Sequence, residues 1–114
     1  ALVRGGDRPH EESIADAIER GRAYVEAGAQ CVFVPGVLSD ADARALVDGI
    51  GERRVSVIGL PGALRAVEYE RLGVARISYG PMPQNVALTA LKRLGESLYG
   101  DGAIPDGTEK LNNL

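Results

Sequence analysis

The 114 residues include one cysteine, one histidine, one phenylalanine and no tryptophan. With Cys31 alone, no internal disulfide can form, and a cytoplasmic location is expected. No run of apolar residues approaches the ~20 needed to span a bilayer, and no secretory leader is visible. Neither sign of charge dominates: 13 basic against 16 acidic residues give a net charge of −3. Acids and bases interleave, as in Glu19-Arg20 and Glu52-Arg53-Arg54. That pattern gives no electrostatic footprint for nucleic acid or an anionic membrane surface. P-loop, zinc and nucleophile-elbow motifs are also missing.

What is present is a repeat. Three stretches each stop a helix at a glycine, continue as a short apolar strand and leave through a Gly/Pro turn. They are Ala27–Gly36, Gly51–Gly62 and Leu72–Pro81. Four apolar residues, Cys31 to Val34, suit a strand buried on both faces, with Cys31 as a small buried hydrophobe. Val55–Ile58 is the second strand and Ala75–Tyr79 the third. Helices are expected over Glu11–Ala27, from Ser39 to about Ile50, over Ala63–Leu72 and over Val86–Tyr99. His10 falls in the loop before the first of these. Ser39-Asp40-Ala41-Asp42 has the form of a capping box, which accounts for Asp40 and Asp42 better than a metal site does. Asn85 is the expected cap of the last helix.

Strands alternating with helical inserts predict an α/β fold of parallel β/α units. Three strands cannot close a barrel, which takes about 250 residues in its eight-stranded form. Residues 1–100 are therefore expected to be part of a larger β/α enzyme domain, with 101–114 as a flexible tail. The opening Ala1–Asp7 reads as the end of a strand-to-helix loop, a cut edge rather than a natural start.

In β/α folds chemistry gathers at the carboxyl ends of the strands. Here those ends are Pro35-Gly36-Val37, Gly59-Leu60-Pro61-Gly62 and Ser78-Tyr79-Gly80-Pro81, and none carries Asp, Glu, Lys, Arg or His. General acid–base catalysis needs a tunable proton carrier and hard cations need carboxylates, so no catalytic or metal-binding residue is expected among them. The candidate substrate-binding positions are Pro35, Gly36, Pro61, Gly62, Ser78, Tyr79 and Gly80. Ser78 and Tyr79 alternate across a strand, so only one can point into a barrel interior, where it would either bond a substrate or pack in the core. The turns at Gly62 and Gly80 leave open a phosphate cradle.

From Arg4-Gly5-Gly6 through Ala27–Gly36, Leu60-Pro61-Gly62 and Leu72–Pro81, the chain resembles the second half of the isocitrate lyase/phosphoenolpyruvate mutase superfamily. It is most similar to the phosphonomutase-like bacterial branch, and the resemblance implies that residues 1–100 are the C-terminal portion of a TIM-type (β/α)8 barrel, incomplete in this chain. The resemblance implies a Mg²⁺-dependent lyase or phosphonomutase acting on C–C or P–C bonds of α-oxocarboxylate-type or phosphonate substrates. It also implies that the metal ligands lie in the half not contained here, so these residues alone are expected to be inactive. Members usually exchange their last helix between subunits, which implies a homo-oligomer formed through residues 86–99. Two rival readings are a non-catalytic, self-associating half-barrel and a phosphate-binding barrel of another family that uses Gly62 and Gly80.

Overall fold

The computed structural model describes residues 7–112. Residues 1–6, with the expected loop end there and Arg4-Gly5-Gly6 of the resemblance, lie outside them. The chain divides into two compact units, Ala1–Gly80 and Pro81–Leu114.

In the first unit the order is α1 (His10–Glu26), β1 (Val32–Val34), α2 (Asp40–Ile50), β2 (Val55–Ile58), α3 (Ala66–Arg71) and β3 (Arg76–Ser78). The three strands form one parallel sheet in the order β1-β2-β3. The repeat seen in the sequence has a physical origin in the helix stops. After α1, the N–H of Gly28 bonds Val25 O at 3.0 Å and that of Ala29 bonds Tyr24 O at 2.9 Å. After α3, Gly73 bonds Glu70 O at 3.0 Å and Val74 bonds Tyr69 O at 3.1 Å. Both are Schellman closures on a glycine of positive φ, 105° at Gly28 and 85° at Gly73. Each reverses the chain directly into a strand. At the other end of α2, Ser39 Oγ accepts from the N–H of Asp42 and Asp42 Oδ2 accepts from the N–H of Ser39, both at 3.1 Å. The expected capping box is formed.

Helices cover one face of the sheet. Val32, Val34, Val55 and Val57 pack there with Ile14 and Ala17 of α1, Ala43, Leu46, Val47 and Ile50 of α2, and Tyr69 of α3. Burying each Leu or Val of this group contributes about 1.5–3 kcal/mol. The opposite face carries Phe33, Ser56, Ile58, Arg76 and Ser78, as alternation and register require. Phe33 on that face is 46% exposed. The expectation that β1 is buried on both faces is therefore corrected: among the described residues, the helices of this unit pack on the other face.

Other boundaries differ from expectation for local reasons. His10 is the first residue of α1 and not a loop residue. Cys31 precedes β1 and is exposed, where a buried position was expected, because the strand ladder begins only at Val32. The helix expected from Ala63 starts at Ala66, since Leu60–Ala63 closes as a turn with Ala63 N–H on Leu60 O at 3.0 Å.

The second unit is built on α4 (Met82–Gly100). It begins after Pro81, with Pro83 in the first turn, where a missing N–H costs nothing. Asn85 is thus inside the helix and does not cap it; its N–H donates to Pro81 O at 2.9 Å. No residue of α4 is buried, and Val86, Leu88, Leu91, Leu98 and Tyr99 are exposed. No helix among the described residues is long and apolar enough to cross a membrane.

Candidate functional site

The parallel register brings the three strand tips to one edge. Val34 pairs beside Val57 and Ile58 beside Ser78, so Pro35-Gly36, the Gly59–Gly62 segment and Tyr79-Gly80 all leave the sheet at its carboxyl end. The N–H of Gly59 donates to Ser78 O at 2.8 Å, which extends the β2-β3 pairing by one bond. Leu60-Pro61-Gly62-Ala63 is then a tight turn with proline second and a glycine of φ 85° third, the preference of a type II turn. Every sequence-predicted site residue lies along this edge.

The two hydroxyl-bearing candidates part company. Ser78 stands in register with Ile58, on the face that no helix of the first unit covers. Tyr79 shares the face of Val57 and Ile77, on the helix side: a β-carbon built on Gly59 would meet Tyr79 Cδ1 and Cε1 at 2.6 Å and Ile77 Cγ2 at 3.3 Å. Ser78 is therefore the hydroxyl available to anything that occupies the uncovered face. Gly80 sits near Ile58 of that face, its hypothetical β-carbon 3.9 Å from Ile58 Cδ1.

On the helix side, His10 Nε2 lies 2.8 Å from Asp42 Oδ1 and joins the first turns of α1 and α2. Burial pushes the Asp42 carboxyl upward, but hydrogen bonds from His10 and from the side chain and backbone of Ser39 outweigh it and hold the group below the usual carboxylate range. No local sequence signal marks this pair, because 32 residues separate its members in the chain. It ties the first residue of α1 to the capping box that opens α2.

The other group that strand-tip reasoning missed is Arg76. It opens β3 instead of ending it, and its Nε donates to Ser56 Oγ at 3.1 Å. The alternation Arg76-Ile77-Ser78 contains the signal: with Ile77 in the core, both neighbours must face the other way. Arg76 also borders a cavity of about 500 Å³ along the free edge of β3, with Tyr69 and Glu70 of α3. The Tyr69 phenol is raised above its ordinary value, chiefly by burial.

Among the described residues, no group of three His, Cys, Asp or Glu side chains is placed to hold a metal ion. The residues at the carboxyl edge offer backbone N–H groups, shape and the hydroxyls of Ser78 and Tyr79, and they do not fit a divalent cation.

Known proteins resemble this arrangement. Residues 2–99 match the family described as phosphoenolpyruvate phosphomutase. An uncharacterized protein of Mycobacterium tuberculosis is 32% identical over 98 residues, which is 86% of this chain and 37% of that protein. A crystal structure from Burkholderia cenocepacia named as a phosphonomutase superposes with a TM-score of 0.70 at 34% identity, over 84% of this chain and 38% of that one. Another from the same organism, named as a lyase/mutase, gives 0.74 at 30% identity, over 90% and 35%. This chain spans 37% of the length of the Mycobacterium relative, little more than a third. With a match that runs from residue 2 to residue 99, the chain belongs to the phosphoenolpyruvate phosphomutase family, within the isocitrate lyase/phosphoenolpyruvate mutase superfamily.

Proposed function

We propose that these residues form the C-terminal β/α portion of a TIM-type barrel enzyme that makes or breaks C–C or P–C bonds in α-oxocarboxylate-type or phosphonate substrates. In this reading the uncovered face of the sheet is the barrel interior, and the carboxyl edge is one wall of the substrate pocket. The observation that carries it is the placement of Ser78 at the carboxyl edge, on the face left without helices, in a chain that spans about a third of its relatives. Parallel sheets are covered on both sides, so that face needs more chain than is present.

The wall works by shape and by neutral hydrogen bonding. Ser78 Oγ offers one donor to a substrate oxygen, and the Pro61-Gly62 and Gly80 turns keep bulk away from it. Cleavage next to a carbonyl develops enolate-type charge, which requires cationic stabilisation. The family's Mg²⁺ would supply it, but the described residues hold no ligand set, so the cation and its carboxylates are assigned to chain outside these residues. The apolar residues exposed along α4 support assembly into a homo-oligomer that covers them by exchange of this helix.

The test is Ser78→Ala in a protein of the relatives' full length, assayed with oxo-acid and phosphonate substrates. Loss of one neutral hydrogen bond, about 1 kcal/mol, raises KM about fivefold with a smaller change in kcat. Unchanged KM and kcat would remove Ser78 from the pocket.

A further inference from the structure

Phe33, Ser56 and Arg76 form one row across the uncovered face, since Phe33 is in register with Ser56 and Ser56 with Arg76. Ser56 is only 2% exposed although no helix of the first unit lies over this face, and it accepts the Arg76 Nε–H at 3.1 Å. That bond lays the arginine side chain across the sheet toward β2, along its own row. The Ile58–Ser78 row at that edge is two residues further along, roughly 6.6 Å away. A guanidinium has five N–H donors, and only Nε–H has a partner among the described residues. Glu52, Arg53 and Glu70 line the cavity that Arg76 borders, yet no carboxylate among the described residues forms an ion pair with Arg76.

The arrangement is tolerable only while the face is wet. Once the face is covered, as the reading above requires, an unpaired cation on it is heavily disfavoured, and the fork of a guanidinium matches a carboxylate with two parallel bonds. We infer that Arg76 is an ionic anchor for the polypeptide that completes the sheet, and that this polypeptide presents an Asp or Glu side chain to its terminal nitrogens. Ser56 is the positioning residue that aims it. A role in holding the substrate's own anionic group is the competing outcome, disfavoured by the row in which Arg76 stands.

The inference rests on the barrel reading, and two measurements on the full-length protein separate them. The first is arginine footprinting with phenylglyoxal on the folded wild type. Arg76 is expected to be protected while Arg44 and Arg65, both exposed here, react. Equal reactivity of Arg76 means the face is not covered, and both the reading and the inference fall. The second starts from Arg76→Glu, expected to lose soluble folded protein, followed by selection of second-site changes from a saturating library with a folding reporter. Recovery through an acidic-to-basic change outside these 114 residues supports the anchor. A protected Arg76 with no such suppressor, or with recovery mapping to Glu52 or Glu70, overturns the anchor and leaves the barrel reading intact. Arg76→Glu protein that folds as well as wild type also overturns it, and a raised KM in that protein would identify a substrate contact instead.

Discussion

The ring of Tyr79 occupies the space that the missing side chain of Gly59 leaves at the carboxyl edge: a β-carbon on Gly59 would stand 2.6 Å from two ring carbons. Tyr79 is 53% exposed, so it can swing away and the stability cost of Gly59→Ala is small, about 1 kcal/mol or less. The displaced ring must pull on the Ser78–Gly80 segment beside it. On the proposed function, Gly59→Ala is therefore expected to disturb substrate affinity in a protein of the relatives' full length more than its melting temperature. Calorimetry and a KM measurement on the same preparation check this.

Helices α1 and α2 touch through reciprocal glycines. A β-carbon on Gly21 would meet Ile50 Cδ1 at 2.5 Å, and one on Gly49 would meet Ile18 Cγ2 at 2.6 Å. Alanine at Gly21 gains about 1 kcal/mol of helix propensity, while overpacking a buried contact costs about 1–3 kcal/mol. Overpacking wins, and Gly21→Ala is expected to destabilise by about 1 kcal/mol. In a double-mutant cycle, Ile50→Val should recover part of that loss, with a coupling of about 0.5 kcal/mol or more. Additive effects in denaturant unfolding would contradict the contact.

The Asp42 carboxyl sits below its ordinary range when folded. Such a group stabilises the fold above its unfolded value, and the contribution is lost as pH falls through the lowered folded value. The melting temperature of the wild type is expected to drop below about pH 4, with a shallower drop in Asp42→Asn. At neutral pH, Ser39→Ala removes one half of the capping box and should cost about 1 kcal/mol, whereas Ser39→Asp keeps most of it.

Arg53 holds a φ of 57° while its N–H donates to Gly73 O at 2.8 Å. A β-branched side chain is poorly accommodated in that left-handed region. Arg53→Val is expected to destabilise by roughly 1–2 kcal/mol, and Arg53→Gly to lie within about 1 kcal/mol of wild type. Parallel unfolding curves for the two variants would disprove the backbone origin of the effect.

The repeat and its punctuation were legible in the chain. Val55–Ile58 is the strand that its four residues predict, and Gly28 and Gly73 stop their helices by the expected closure. Ser39 and Asp42 cap α2 as their spacing requires. These are local effects, carried by side-chain period and by glycine. What failed to show was anything set by chain far away. Phe33 looks like a core residue, but the face it stands on is open, and the His10–Asp42 pair joins segments 32 residues apart. Asn85 looks like a cap because it precedes an apolar stripe, yet Pro81 and Pro83 start the helix earlier. At the site, the strand tips were identifiable from connectivity alone. Arg76 is not marked by connectivity, because it opens its strand instead of ending it.

Comparing Mg²⁺-dependent turnover of oxo-acid and phosphonate substrates by the 114-residue chain and by a protein of its relatives' full length tests the central claim most directly. Turnover by the long protein and none by the short one is the predicted result. Measurable turnover by the short chain alone would mean that its neutral strand tips perform chemistry for which they have no charged group.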